Sequence, residues 1–139
     1  MIILDTNVLS ASISAVKSST VIAWLNSQVA DQIWITAITV FETRMGIELL
    51  AVGRKRNQLE SEFEQALSEH FGGRVLPFDT ESAHHAGMSF AKRQCAGLPM
   101  DIRDAQIAGI AIAKNATLAT RNIRDFTNLG MALIDPWTT

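Results

Sequence analysis

The stretch "MIILDTNVLS", residues 1–10, sets a short apolar run directly before an acidic residue. The run at residues 2–4 contains no polar side chain, which is typical of a strand buried on both faces of a parallel sheet. The Asp-Thr-Asn sequence at residues 5–7 is common in turns. The stretch therefore predicts a buried strand whose carboxyl end carries one carboxylate, that of Asp5.

The composition is that of a compact globular chain. Of its 139 residues, 47% are hydrophobic and 19% are charged, and a chain of this size buries on the order of 70% of its unfolded surface. We expect a single domain over residues 1–139, without a disordered tract. No apolar run approaches the ~20 residues needed to span a bilayer. No membrane segment is therefore expected, and the predicted location is cytoplasmic.

The formal net charge of −2 excludes long-range attraction of the whole molecule to nucleic acid. Any contact with a phosphate backbone would have to be local. The one dense basic cluster, Arg54-Lys55-Arg56, is interpreted as a solvent-exposed helix junction, although such a cluster also suits a polyanion.

Cysteine, histidine and tryptophan are all assigned structural positions. The single cysteine, Cys95, has no disulfide partner and is expected to be a half-buried thiol. His84 and His85 are adjacent on a predicted helix, so their side chains point about 100° apart and cannot bind one ion together. Three tryptophans are expected to be core or dimer-interface anchors rather than stacking platforms for bases: Trp24, Trp34 and Trp137.

Five short strands alternate with helices along the chain. Strands are predicted at residues 2–4, 32–36, 74–78, 117–120 and 132–134. Helices are predicted after residues 18–20, from Thr39 to about Leu50, through residues 59–67, from residue 79 or 80 to 96, and from 101 to 115. This alternation indicates βαβ units, so we expect a mainly parallel sheet covered by helices on both faces.

Four acidic residues are expected at one edge of this sheet. Ligands of parallel α/β sheets bind outside the carboxyl ends of the strands. Asp5 ends the first strand, Glu42 and Asp104 lie in the predicted first turns of two helices, and Asp125 follows the strand that ends at Thr120.

Helix capping is the alternative interpretation of three of these acids. Each lies three residues after a possible cap, in patterns close to a capping box: Thr39-x-x-Glu42, Asp101-x-x-Asp104 and Asn122-x-x-Asp125. Taken singly, capping is favoured, but it is not expected to account for Asp5. Two carboxylates ~4 Å apart repel by about 4 kcal/mol at an effective dielectric constant of ~20, so a cluster of acids requires a cation.

Oxygen ligands without nearby histidine or cysteine suit a hard divalent ion, Mg²⁺ or Mn²⁺. Such an ion can activate water for hydrolysis of a phosphodiester. Thr6, Asn7 and Thr120 are predicted at the same edge, where they could orient the water or a carboxylate. Local turn hydrogen bonds explain these three residues equally well.

Four motifs in this order resemble the PIN-domain nucleases, and most closely the VapC/FitB-type toxins of bacterial toxin–antitoxin pairs. They are "LDTNVL" at residues 4–9, "TVFETRMGIELL" at 39–50, "DIRDAQIAGIAI" at 101–112 and "LATRNIRDF" at 118–126. The resemblance extends along nearly the whole chain, to Pro136-Trp137.

The resemblance implies a three-layer α/β/α fold and a Mg²⁺- or Mn²⁺-dependent endoribonuclease. It also implies a homodimer and a hetero-oligomer with a cognate antitoxin, which occupies the acidic site and inhibits the enzyme. By position, the metal-binding acids would be Asp5, Glu42 and Asp104.

The fourth acidic position is left open by the resemblance. Some relatives carry Asp where this chain has Asn122, and Asp125 one turn later either takes that role or caps a helix. Asp101 is a further possible ligand, or an N-cap. Arg121 and Arg124 would contact RNA phosphate, or else belong to an ordinary solvated loop.

Three other classes of protein are compared with the nuclease. A phosphoryl-transfer or receiver-type domain would usually carry a second Asp at position 7, which is Asn7, or a Lys on a later strand, and no predicted strand contains one. An inactive PIN-like binding module would keep the fold without the chemistry. The presence of four acidic residues argues against an inactive module, whereas Asn122, at a position where some relatives carry Asp, is compatible with one. A dinucleotide-binding fold is disfavoured because no glycine follows the first strand.

Overall fold

The computed structural model describes residues 1–139 and contains one five-stranded sheet in the order β3-β2-β1-β4-β5. All four strand pairings are parallel, which confirms the predicted sheet. The strands are β1 (Ile2–Leu4), β2 (Ile33–Thr36), β3 (Val75–Leu76), β4 (Thr117–Ala119) and β5 (Leu133–Ile134). β1 therefore lies at the centre, between β2 and β4.

Six helices surround the sheet. They are α1 (Thr6–Ile13), α2 (Ser19–Asn26), α3 (Ala37–Glu48), α4 (Arg54–Gln65), α5 (Thr80–Cys95) and α6 (Ile102–Ala113). One turn of π-helix at Ala66–His70 continues α4, and 3-10 turns occupy Ala30–Gln32 and Ile123–Phe126. None of the helices combines the length and the apolarity needed to cross a membrane.

Consecutive residues of β1 enter two different cores, one on each face of the sheet. Leu4 packs with residues of α1, α2 and α4, whereas Ile3 packs with residues of α6. Both side chains are fully buried, and such burial stabilises the fold by roughly 1.5–3 kcal/mol for each residue. The apolar run at residues 2–4 thus forms the middle of a three-layer α/β/α arrangement, as predicted.

Helix α1 was not predicted, and its presence corrects the interpretation of Asp5. The Asp-Thr-Asn sequence starts a helix instead of a turn, because Asp5 is the N-cap of α1 and its side chain accepts the backbone N–H of Thr6. The expectation that capping does not account for Asp5 is therefore wrong.

The predicted start of α3 is also wrong. Thr36 is its N-cap, and the Thr36 hydroxyl accepts the Thr39 backbone N–H at 3.1 Å. Because α3 begins at Ala37, Glu42 lies in the second turn, and the predicted Thr39-x-x-Glu42 capping box does not form. The helix dipole consequently has little influence on Glu42.

The thiol of Cys95 is exposed, not half-buried as expected. Trp24 is buried in the core on the α1, α2 and α4 face of the sheet, as predicted, and Trp137 is half-buried against that core, whereas Trp34 is half-buried against the core on the α6 face. Helices α5 and α6 approach closely at Gly109, where an added Cβ would lie 2.3 Å from the Ser82 carbonyl oxygen. Only glycine allows this approach.

Candidate functional site

Asp5 is buried where β1 ends, with 5% of its surface exposed. Its Oδ1 accepts the Thr6 N–H at 2.8 Å, and its Oδ2 accepts the Thr120 hydroxyl at 2.7 Å and the Asn7 amide at 3.4 Å. Burial raises the pKa of Asp5, while the hydrogen bonds from Thr120 and Thr6 partly offset that rise. The two threonines therefore favour the ionised carboxylate.

Glu42 is joined to Asp5 through Thr6. The Thr6 hydroxyl donates to Glu42 Oε1 at 2.8 Å and lies 3.0 Å from the Thr39 hydroxyl. The other carboxylate oxygen, Oε2, lies 3.6 Å from Arg103 Nη1. One residue, Thr6, thus fixes both carboxylates, one through its backbone N–H and the other through its hydroxyl.

Asp104 is half-buried in the first turn of α6. Burial raises its pKa to about 7, and the negative charges of four surrounding acids add to the rise: Asp5, Asp101, Asp125 and Glu42. The nearby charge of Arg103, whose own pKa is raised in part by Asp104, is too weak to offset this rise. Ionisation of Asp104 is therefore unfavourable unless further positive charge binds at this edge of the sheet.

These mutual effects on pKa place the predicted acids around one opening at the carboxyl ends of β1, β2 and β4. However, no three acidic, histidine or cysteine side chains converge closely enough to hold one ion together. A preassembled three-acid metal site is therefore not present. The physical reason is that Asp5 and Glu42 are drawn to separate partners, Thr120 and Arg103, while like charges repel.

Asn122 precedes the 3-10 turn that follows β4, and Asp125 lies within that turn. The Asp125 carboxylate is exposed, and its charge raises the pKa of both Asp5 and Asp104. Asn122 makes no side-chain cap, and its backbone N–H donates to the Thr120 hydroxyl at 3.0 Å. Of the two residues, Asp125 is the one that contributes charge to the opening.

Asp101 is the N-cap of α6, as the capping interpretation predicted. Its Oδ1 accepts the Arg103 backbone N–H at 2.8 Å and the Arg103 side-chain Nε–H at 3.3 Å. These hydrogen bonds and the Arg103 charge hold the pKa of Asp101 below its usual value. The Asp101 carboxylate thus caps α6 and binds Arg103, which is only two residues away in the sequence.

Arg121 and Arg124 line a polar surface cleft of about 660 Å³ beside Asp125. Arg121 stacks on the indole ring of Trp137, with its guanidinium carbon 4.8 Å from the ring centroid. A separate, more apolar cavity of about 340 Å³ lies between α1, α2 and α4, and none of the four predicted acids lines it.

Arg93 and Arg103 make contacts near the acids, and these contacts were not predicted from the sequence. Arg93 is buried, and its guanidinium donates to the Thr127 carbonyl at 2.7 Å and the Arg124 carbonyl at 3.5 Å, which ties α5 to the turn that carries Asp125. No sequence signal indicates that Arg93 turns inward. Arg103 was detectable in principle, because it lies between Asp101 and Asp104 at the start of a predicted helix.

Comparison with known proteins identifies the family to which this fold belongs. Residues 2–130 match the PIN domain family. Toxin FitB of Neisseria gonorrhoeae is 38% identical over 139 residues, covering 99% of both chains. VapC ribonuclease Y4jK of Sinorhizobium fredii is 33% identical over 137 residues, covering 99% of this chain and 98% of that one. The crystal structure of FitAcB from N. gonorrhoeae superposes with a TM-score of 0.91 at 35% identity, covering 100% of both chains. The chain belongs to the PIN-domain family.

Proposed function

We propose that this protein is a divalent-metal-dependent endoribonuclease and the toxin of a toxin–antitoxin pair. The observation that carries the proposal is the gathering of Asp104 with Asp5, Glu42 and Asp125 at one edge of a PIN fold, where burial and the neighbouring negative charges raise the pKa of Asp104. Two full-length relatives support the activity and the role, because one is named a VapC ribonuclease and the other a toxin.

The donor set fits a hard divalent cation. All candidate ligands are carboxylate oxygens, and the neighbouring negative charges that add to the raised pKa of Asp104 favour a cation there. Mg²⁺ is usually held by one or two carboxylates together with waters, so a site without three converging acids suits it. We assign Mg²⁺ or Mn²⁺ to Asp5, Glu42 and Asp104, with Asp125 as the fourth acid.

When bound, the ion supplies Lewis acidity toward the phosphodiester and lowers the pKa of water. The residues of the chain would hold the ion and orient the carboxylates and the RNA around it. Thr6 and Thr120 fix the carboxylates of Asp5 and Glu42 through the hydrogen bonds described above. Arg121 and Arg124 in the adjacent cleft are assigned to RNA phosphate.

The competing classes lack support at this site. A receiver-type domain would usually carry an acid at position 7 or a Lys on a later strand, whereas the Asn7 amide donates to Asp5 and none of the five strands contains Lys. An inactive binding module would not require mutually repelling carboxylates, which cost stability unless a cation binds.

The partner of the toxin is proposed to be a cognate antitoxin, on the strength of the relative named as a toxin. A homodimer also stays a prediction. Three exposed apolar residues at helical spacing supply a surface for it: Phe41 and Met45 on α3, and Leu49 at its C-cap. The cytoplasmic location remains a prediction as well.

The test is cleavage of a 5′-labelled single-stranded RNA by the full chain with Mg²⁺, with Mn²⁺ and with EDTA. We expect metal-dependent cleavage that falls at least about 100-fold in Asp5→Asn. Asn is also a good N-cap, so this variant should keep α1. Asp31→Asn removes the same charge from an exposed position in the 3-10 turn before β2 and is the matched control. Undiminished cleavage by folded Asp5→Asn would exclude the proposal.

A further inference from the structure

The segment that follows β5 fixes the position of Trp137. The Asp135 carboxylate accepts the Trp137 backbone N–H at 2.9 Å, and the Thr138 N–H donates to the Asp135 carbonyl at 3.1 Å. The indole is half-buried and packs against the core that lies on the α1, α2 and α4 face of the sheet. The ring is therefore held by both the backbone and the core.

The guanidinium of Arg121 lies over this ring and has no other partner in the chain. The cations that form ion pairs in the structure are Lys17, Arg44, Arg56 and Arg103. Stacking occupies the face of a guanidinium and leaves the N–H groups at its edge free. Those donors match the geometry of a phosphate group, which they can bind in a bidentate manner.

Arg121 is also next to the acids. It directly follows Thr120, whose hydroxyl donates to Asp5, and its backbone N–H donates to Asn7 Oδ1 at 3.4 Å. The same residue lines the cleft of about 660 Å³ that contains Asp125. An opening rich in carboxylates repels a polyanion, so a fixed cation at its rim is needed to bring the substrate backbone close.

We propose that Trp137 is a positioning residue, which holds the Arg121 guanidinium so that its free edge binds an RNA phosphate beside the acidic opening. This inference rests on the proposed ribonuclease function and adds a contribution from the segment after β5. A rotating arginine loses side-chain entropy when it binds phosphate, whereas a stacked arginine has already lost it. Trp137 is not a platform for bases, because the guanidinium covers its ring.

The experiment measures binding of a fluorescein-labelled single-stranded RNA to the full chain at several salt concentrations, with Asp5→Asn as the parent so that the RNA stays intact. We expect Arg121→Ala to raise Kd about tenfold and to reduce the slope of log K against log salt by ~0.7, the loss of one phosphate contact. Trp137→Ala should raise Kd about fivefold, equivalent to about 1 kcal/mol, and should also reduce the slope.

Three further variants separate positioning from general stability. Trp137→Phe keeps an aromatic face and should stay within about twofold of the parent. Arg121→Lys keeps the charge without the planar face and should raise Kd about threefold. Lys114→Ala removes an exposed charge at the C-cap of α6, at the opposite end of that helix from Asp104, and should leave Kd and slope unchanged. Adding Trp137→Ala to Arg121→Ala should cause no further loss.

Two results would overturn the inference while leaving the ribonuclease intact: independent, multiplying effects of Trp137→Ala and Arg121→Ala, or equal damage from Trp137→Phe and Trp137→Ala. Thermal unfolding of each variant verifies that it is folded, and Trp137→Phe with Arg121→Lys carries the test if Trp137→Ala unfolds. A parent that binds no RNA would instead overturn the proposed function, and this inference with it.

Discussion

The Thr120 hydroxyl donates a 2.7 Å hydrogen bond to Asp5 Oδ2, across 115 positions of sequence. Both residues are buried, and each one follows a strand of the central parallel pair β1–β4. The bond fixes the orientation of the carboxylate and favours its ionised form. The orientation of Asp5, a proposed metal ligand, therefore depends on Thr120 after β4 as much as on β1.

Replacing Thr120 with Val should weaken Mn²⁺ binding about tenfold, because removing a hydrogen bond that orients a metal ligand typically lowers metal affinity by about that factor. The pKa of Asp5 would rise further, since its largest lowering contribution comes from Thr120. Titration calorimetry with Mn²⁺ measures the affinity. Thr120→Ser keeps the hydroxyl and is the matched control, and equal affinities for the Val and Ser variants would contradict this assignment.

Asp104 should make the stability of the metal-free protein depend on pH. Its pKa of about 7 lies above the ordinary 3.8, so between those values the folded chain binds more protons than the unfolded chain does. The free energy of unfolding should therefore fall as pH rises from about 4 to about 7, and level off above that range.

Urea denaturation in EDTA at several pH values measures this effect. The stability of the wild type relative to Asp104→Asn should decline across the range, and saturating Mn²⁺ should reverse the decline by binding the ionised acids. A difference that is constant with pH would contradict the raised pKa.

Arg103 should compete with a divalent ion for Glu42. Its Nη1 lies 3.6 Å from Glu42 Oε2, and a solvent-accessible pair of this kind, with both residues half-buried, is typically worth up to ~1 kcal/mol. Arg103→Ala should therefore raise Mn²⁺ affinity about two- to fivefold, whereas Arg103→Lys, which keeps the charge, should change it less. Weaker Mn²⁺ binding by Arg103→Ala would contradict this prediction.

Gly109→Ala should destabilise the fold by about 1–3 kcal/mol, because the new Cβ would overlap the Ser82 carbonyl and the Ala86 backbone on α5. Gly87→Ala on the exposed side of α5 meets no atom within 4 Å and should stabilise by up to about 1 kcal/mol. Chemical denaturation of the pair measures both changes. Loss of stability in both variants would point to helix backbone effects instead of the close approach.

Phe41→Glu should convert a homodimer to a monomer if the apolar face of α3 forms the interface. Phe41 is 56% exposed, and Val29, which is 68% exposed just before a 3-10 turn, provides the control Val29→Glu. Light scattering during size exclusion gives the mass of each variant. An unchanged dimer in Phe41→Glu would place the interface elsewhere.

The sheet could be predicted because its strands are short apolar runs between helices, and parallel pairing follows from that alternation. Helix α1 could not, since Asp-Thr-Asn suits a turn and an N-cap equally well and only the packing of Val8 and Leu9 decides between them. The start of α3 was misplaced for a related reason, because Thr36 and Thr39 are equally good cap residues.

The topology of the sheet brings the predicted acids to one edge, and the order of strands and helices along the chain is enough to predict this. Their detailed arrangement depends on partners that no local pattern reveals. Thr6 joins Asp5 to Glu42, and the inward turn of Arg93 holds the loop of Asp125. These contacts link residues distant in sequence, so they follow from tertiary packing alone.

The order of the strands also governs when the acidic opening can exist. β1 is synthesised early, but its neighbour β4 and the hydroxyl of Thr120 leave the ribosome only after most of the chain has been translated. Non-local parallel pairing cannot form before both strands are present. A nascent chain therefore carries Asp5 without the partner that orients it until β4 and Thr120 have been translated.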